Sequence, residues 1–276
     1  MKLILSNYNN LTQRIVTALI GVAIILTAIT WNAWAYFGVF LFLTIFSQLE
    51  FYKLIKIHGI VPLRILGTMA GALIFTLTFL IEKMVLHQNW YFGIFPLVSI
   101  IYFIKLYKKN ETRPFTNIAF TFLGIIYVAV PFSLINVIAF IKGPYNYEPL
   151  IGMLFLLWAS DTGAYFAGTK FGKTKLFERV SPKKSWEGFL GGAALSLLFA
   201  YGFSVYFPQY SWVEWSIISA IIIIAGTYGD LVESLFKRSM EIKDSGRALV
   251  GHGGFLDRFD GLLLSVPFIL MFLKLI

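Results

Sequence analysis

Four aspartates hold most of the chemistry open to this chain: Asp161 in WASDTGAYFAG, Asp230 in GTYGDLVESLFKRSMEIKD, and Asp257 and Asp260 in GHGGFLDRFDG. Asp161 falls about 12 residues into an apolar run, ~18 Å along a helix. A carboxylate at that depth costs at least about 2.5–3.5 kcal/mol on insertion scales and normally faces a polar cavity. A single lysine partner locking two helices is the plainer alternative. Thr227, Asp230, Ser234 and Lys237 follow at spacings of three, four and three, so a helix would carry them as one polar stripe with Glu233 beside it. Lys237 and Arg238 suit the C-terminal end of that helix, whereas Asp230 and Glu233 oppose its dipole unless a cation is present. Asp257 and Asp260 share a face at the start of the last apolar run, a place where capping alone also favours aspartate. Ahead of them Gly251, Gly253 and Gly254 let backbone amides approach an anion closely.

Asp161, Asp230, Asp257 and Asp260 are hard oxygen donors. The chain has no cysteine, and His252 is the one histidine near them. Magnesium bridging carboxylates and phosphates therefore suits this set better than zinc. The segment FGKTKLFERVSPKKSWEG adds a run of basic residues in which Ser181, Lys183, Lys184 and Ser185 lead into an apolar run. Those bases would neutralise phosphate charge, or simply mark the cytoplasmic side and its anionic lipid. There is no GxSxG turn with a second suitable histidine and no Walker-type loop. The residues alone reach metal-assisted phosphoryl or nucleotidyl transfer at a membrane surface and do not name the substrates.

The elements that must position these groups are membrane helices. Hydrophobic residues make up 58% of the 276 and charged residues 13%, with a mean hydropathy of +0.76. A soluble domain has about 25% charged residues, so the bilayer is the natural solvent. Runs of Leu, Ile, Phe and Val cannot be open sheet in lipid, which makes the fold all-α and polytopic. Nine spans are expected, at about 14–31, 34–50, 64–82, 90–106, 116–141, 149–169, 186–207, 212–236 and 260–276. Pro131 predicts a kink in the fifth, with two re-entrant halves as the alternative. Gly67–Gly71 and Gly188–Gly192 form GxxxG pairs that permit close helix contact.

All but three of the 23 Lys and Arg residues, namely Lys83, Lys142 and Lys274, fall on the loops of one side. The positive-inside rule makes that side cytoplasmic, together with the N-terminus. Trp31, Trp34, Trp90, Trp212 and Trp215 are expected at the outer ends as an aromatic belt. A net charge of +9 could suggest nucleic acid, but no basic domain stands apart from the apolar runs, so nucleic acid is not expected as a partner. Residues 1–148, about five spans, read as scaffold and oligomerisation. Residues 149–276, about four spans with cytoplasmic loops, read as the catalytic half.

The run from Ser234 to Asp260, SLFKRSMEIKDSGRALVGHGGFLDRFD, closely resembles the signature of the phosphatidate cytidylyltransferase (CDP-diacylglycerol synthase) family. Ser234, Lys237, Arg238, Lys243, Asp244, His252, Gly253, Gly254, Asp257, Arg258 and Asp260 all match. WASDTGAYFAG and SPKKSWEG look like family features too. Val250 departs from the pattern, standing where members often have proline, and removes no chemical group. The resemblance implies a reaction of CTP with phosphatidic acid to give CDP-diacylglycerol and pyrophosphate in phospholipid biosynthesis. It also implies magnesium on Asp230 and Asp257, a second cation such as potassium, and a homodimer with its site open to the cytoplasm and to membrane lipid. Asp161, Asp230, Lys237, Asp257 and Asp260 are the expected catalytic residues. Ser181, Lys183, Lys184, Ser185, Ser234, Arg238, Lys243, Asp244, His252, Gly253, Gly254 and Arg258 are the expected substrate-binding ones. The nearest rival is a CTP-dependent polyprenol or lipid kinase. A membrane transporter, the alternative from another class, would also bury Asp161 but would line both leaflets with polar residues.

Overall fold

A computed structural model describes residues 10–55, 59–241 and 254–276 of the chain. The expected contributions of Lys243, Asp244, His252 and Gly253 lie outside the described residues. The elements are α1 (Asn10–Trp31), α2 (Ala33–Ile55), α3 (Arg64–Glu82), a 3-10 turn (Gln88–Gly93) continuing into α4 (Ile94–Leu106), α5 (Pro114–Gly124), α6 (Val130–Ala139), α7 (Glu148–Phe171), β1 (Lys175–Phe177), β2 (Ser181–Ser185), α8 (Trp186–Tyr206), α9 (Trp212–Ile221), α10 (Thr227–Ser239) and α11 (Leu256–Leu275). π-helical turns join α5 to α6 (Ile125–Ala129) and α9 to α10 (Ile222–Gly226).

The protein is an all-α polytopic membrane protein. Seven helical stretches among the described residues are long and apolar enough to cross a bilayer, and Val16–Trp31 is a shorter apolar one. α11 stands where the last span is expected, headed by Asp257, Arg258 and Asp260. The expected fifth span is continuous from Pro114 to Ala139, and re-entrant halves are not what forms. Pro131 has no N–H to give the preceding turn, and its ring crowds the carbonyl four residues back. The π turn ending at Ala129 widens the helix just before that point. The small antiparallel β1–β2 hairpin was not expected from the sequence.

The chain divides into two compact units, Met1–Phe140 with Ile242–Arg258, and Ile141–Glu241 with Phe259–Ile276. In the first, the Gly67–Gly71 pair receives side chains rather than a helix backbone. A Cβ at Gly67 would meet the Tyr52 hydroxyl, and one at Gly71 the Gln48 amide. The Tyr52 hydroxyl donates to the Thr121 carbonyl at 2.7 Å, and the Gln48 amide donates to the carbonyls of Gly67 and Gly124, each at 3.2 Å. Polar side chains thus find backbone acceptors inside an apolar bundle.

In the second unit the small-residue expectation holds. α7 and α8 run so close that a Cβ at Gly192 would lie 2.6 Å from the Ser160 carbonyl oxygen, and one at Gly163 2.5 Å from that of Gly191. Trp215 departs from the aromatic-belt expectation. Trp31, Trp34, Trp90 and Trp212 are exposed, but Trp215 is fully buried. Its ring occupies the space that a side chain at Gly152 would need and packs on Tyr210, with centroids 5.5 Å apart.

Candidate active site

A cavity of about 360 Å³ opens in the second unit. α7 lines it with Leu157, Ser160, Asp161, Ala164, Tyr165 and Gly168, and the hairpin with Leu176, Ser181, Lys183, Lys184 and Ser185. Gly188 and Phe189 of α8, Ile222 and Gly226 of the second π turn, and Thr227 and Asp230 of α10 complete the wall. The sequence-predicted Asp161, Asp230, Ser181, Lys183, Lys184 and Ser185 therefore share one cavity.

The hairpin is fixed at its base. The Glu187 carboxylate accepts hydrogen bonds from the backbone N–H groups of Lys173 and Thr174 at 3.1 Å. Ser185 caps α8, its hydroxyl accepting from Gly188 N at 3.1 Å. Ser185, read from sequence as a substrate contact, thus also holds the hairpin to the helix start. Neighbouring strand residues point to opposite faces. Lys184 turns to α10, where its ammonium lies 2.5 Å from the Asp230 carboxylate and 3.4 Å from the Thr227 carbonyl oxygen. Lys183 is exposed on the cavity wall.

The predicted polar stripe of α10 is real. The Ser234 hydroxyl donates to Asp230 Oδ1 at 3.4 Å, and Lys237 pairs with Glu233 at 2.8 Å. Arg238 is exposed in the last turn. α10 approaches α11 through glycine: a Cβ at Gly229 would lie 2.5 Å from the Asp260 carbonyl oxygen and 2.9 Å from Gly261 Cα. That crossing places one carboxylate oxygen from each of Asp230, Glu233 and Asp260 within 4.8 Å of one another. Asp260 also accepts from Gly261 N at 2.7 Å.

Glu233 is the member that the sequence reading left out of the site. It is 1% exposed, and the available signal was its position three residues after Asp230 on the same helix. Asp257, Gly254 and Arg258 belong to the first unit, where the Asp257 carboxylate accepts from Gly254 N at 3.1 Å and Arg258 is exposed.

The donor set of the trio is all carboxylate oxygen, which fits a hard divalent cation. The neighbouring ammonium groups of Lys184 and Lys237 fit phosphate oxygens.

Fold and site together define an integral membrane protein with a cavity that sets carboxylates and lysines side by side. The sequence model of the cytidylyltransferase family matches residues 12–276, and the chain belongs to that family and so to the nucleotidyltransferases. It is 33% identical over 254 residues to a phosphatidate cytidylyltransferase of Bacillus subtilis, covering 86% of this chain and 93% of that one. It is 38% identical over 184 residues to a phosphatidate cytidylyltransferase of Haemophilus influenzae, covering 62% of each chain. For one of Staphylococcus aureus the identity is 35% over 176 residues, covering 62% of this chain and 65% of the relative. The alignment therefore spans nearly the whole of the Bacillus relative and somewhat under two thirds of the other two.

Proposed function

We propose that the chain is a phosphatidate cytidylyltransferase. It joins phosphatidic acid to the α-phosphate of CTP, giving CDP-diacylglycerol and releasing pyrophosphate. The observation that carries the reading is the single cavity in which Asp161, Lys183, Lys184 and Asp230 converge, with Glu233 and Asp260 at its Asp230 edge. The names of the relatives support the same reaction.

The attacking lipid phosphate is already an anion, so general-base help is dispensable. The barrier is repulsion between two anions and their alignment. Lys184 sits against Asp230, where an incoming phosphate oxygen can share its ammonium. Lys183 on the same strand would neutralise a second phosphate, and Lys237 and Arg238 stand in the last turns of α10 to meet the leaving pyrophosphate. Ser181, Ser185 and Ser234 offer hydroxyl groups beside them, and the resemblance supports phosphate contacts at Lys243, Asp244, His252, Gly253, Gly254 and Arg258. Asp161 faces the cavity from α7 and is assigned to orienting the substrates.

Asp230 would hold a magnesium ion with Asp260 near it, and the resemblance supports Asp257 as a further ligand. Such an ion would supply polarisation of a phosphate oxygen and offset its negative charge. The resemblance likewise supports a potassium ion as second cation and a homodimer. The partition of Lys and Arg supports a cytoplasmic N-terminus and a site on the cytoplasmic face of the inner membrane.

The test is purified protein in mixed micelles with magnesium, phosphatidic acid and CTP labelled at either the α- or the γ-phosphate. Transfer of the α-label to lipid with release of pyrophosphate is the expected result. Transfer of the γ-label would make the chain a lipid kinase, and no CTP turnover at all would end the enzymatic reading.

A further inference from the structure

The first turn of α11 is held by one face of α2. Phe42, Phe46 and Glu50 stand four residues apart along α2, so they line up on the same side of the helix. The Phe255 ring meets both aromatics, 5.8 Å from Phe42 at near right angles and 5.9 Å from Phe46. Phe42 and Phe46 pack on each other with centroids 4.2 Å apart. One step further along α2 and along the chain, Glu50 Oε2 accepts a hydrogen bond from Leu256 N at 3.0 Å. Glu50 is only 8% exposed and Leu256 is fully buried. The next residue is Asp257, whose carboxylate turns back to Gly254 N.

The N–H groups in the first turn of a helix have no partner within that helix. A cap from the same chain segment normally supplies the acceptor. Here the acceptor for Leu256 comes from a carboxylate 206 residues away in sequence, in a buried hydrogen bond. A charged acceptor strengthens such a bond, and the positive end of the helix dipole favours the carboxylate. The turn carrying Asp257 thus has its backbone anchored on Glu50 and the Phe255 ring just ahead of it packed against two aromatic rings. Within span two, which reads as plain scaffold, a buried acid is costly to keep unless it does a job.

We infer that Glu50, supported by Phe42 and Phe46, is a positioning residue for the turn that presents Asp257, an inference that rests on the reaction proposed above. Glu50 touches no reacting atom. It fixes the backbone from which a ligand-bearing side chain projects, and misplacement by about 1 Å is enough to cost ~100-fold in rate.

The experiment compares Glu50→Ala and Glu50→Gln with the native protein by two readouts. The first is hydrogen–deuterium exchange of peptides spanning 254–260 in detergent, and the second is the magnesium dependence of CTP turnover. Glu50→Ala should speed exchange at 254–260 while peptides from α7 and α8 keep their native rates. It should also raise half-saturating magnesium by about tenfold and lower the rate about 10–100-fold, the range for groups that support a metal ligand. Glu50→Gln keeps an acceptor oxygen and should recover most of the loss. Uniformly faster exchange, an unchanged magnesium dependence, or a glutamine variant as impaired as the alanine one would each overturn the inference. If Glu50→Ala does not fold, Phe46→Ala carries the same test with a smaller effect in both readouts. A native protein that turns over no CTP would refute the proposed reaction, while the exchange result would still decide whether the clamp exists.

Discussion

Nζ of Lys184 lies 2.5 Å from Oδ2 of Asp230, an ion pair that ties the β-hairpin to the α10 stripe. Both partners are partly open to the cavity, at 25% and 44% exposure. An ion pair so exposed contributes only about 0–1 kcal/mol to stability. On the function proposed above, its value lies in the phosphate oxygens that the ammonium would bind.

Lys184→Met should therefore leave the melting temperature in detergent within a few degrees of native while lowering kcat/KM by more than ~100-fold, about 3 kcal/mol of transition-state stabilisation. Lys184→Arg keeps the charge but not the compact ammonium and should restore part of the rate. Lys183→Met, on the exposed side of the strand, should chiefly raise KM. Steady-state kinetics on the three variants checks this, and a Lys184→Met enzyme within tenfold of native would remove Lys184 from the reaction.

Asp230, Glu233 and Asp260 bring three oxygens within 4.8 Å, and Glu233 already holds Lys237 at 2.8 Å. Asp230→Asn should abolish turnover. Asp260→Asn and Glu233→Gln should each raise the half-saturating magnesium concentration by about tenfold or more, as loss of an oxygen ligand or its neighbour does. Manganese titration by calorimetry reads the affinity directly. If Asp257→Asn weakens binding as much as Asp230→Asn while Asp260→Asn leaves it alone, then Asp230 and Asp257 are the ligands and Asp260 a bystander.

Gly229 has no room for a side chain. A methyl group there would press on the Asp260 carbonyl oxygen at 2.5 Å, and that neighbour is backbone, which cannot swing aside. Gly229→Ala should destabilise by about 1–3 kcal/mol and separate α10 from α11, so activity should fall further than stability explains. Gly202→Ala on α8 is the control, since nothing lies within 4 Å of its Cβ position. Paired thermal melts and rates distinguish the two, and equal behaviour would mean that the crossing does not set the site.

Much of this architecture was legible because hydropathy is a property of runs. The stretches expected at 34–50, 64–82 and 149–169 each fall within a single helix, and that at 186–207 runs one residue past the end of α8. The Thr227–Lys237 stripe was legible for a similar reason, since helical spacing follows from sequence alone. What escaped depends on contacts between elements. The two π turns, the first of them just ahead of Pro131, are announced by no periodicity. The hairpin pairs a polar, proline-bearing strand, which reads as loop until Glu187 and Ser185 are seen fastening its base. Glu233 looked like a neighbour of the stripe because its partner Asp260 comes from a later helix. Glu50 looked like the edge of an apolar span because Leu256 is far away in sequence.

The polar cluster around Glu111 gives a prediction about pH. Val61 N donates to Asn117 Oδ1 at 2.7 Å, Lys105 donates to the Val61 carbonyl at 3.0 Å, and the Glu111 carboxylate gathers both Lys105 Nζ and Asn117 Nδ2. Burial alone would raise Glu111, but hydrogen bonds from Lys105 and Asn117 and the lysine charge outweigh it and hold the carboxyl below its ordinary value. A carboxyl depressed in the folded state contributes stability above its unfolded pKa of about 4.3, and that contribution is lost as pH falls through the lower folded value. Glu111→Gln should therefore melt below the native protein at pH 7, with Lys105, 3% exposed, left without its carboxylate. The gap should narrow as the pH is lowered through 4 and toward 3. Thermal melts of both proteins across that range check it, and a gap that stays constant or widens on acidification would show that the ionised carboxylate is not what ties these loops together.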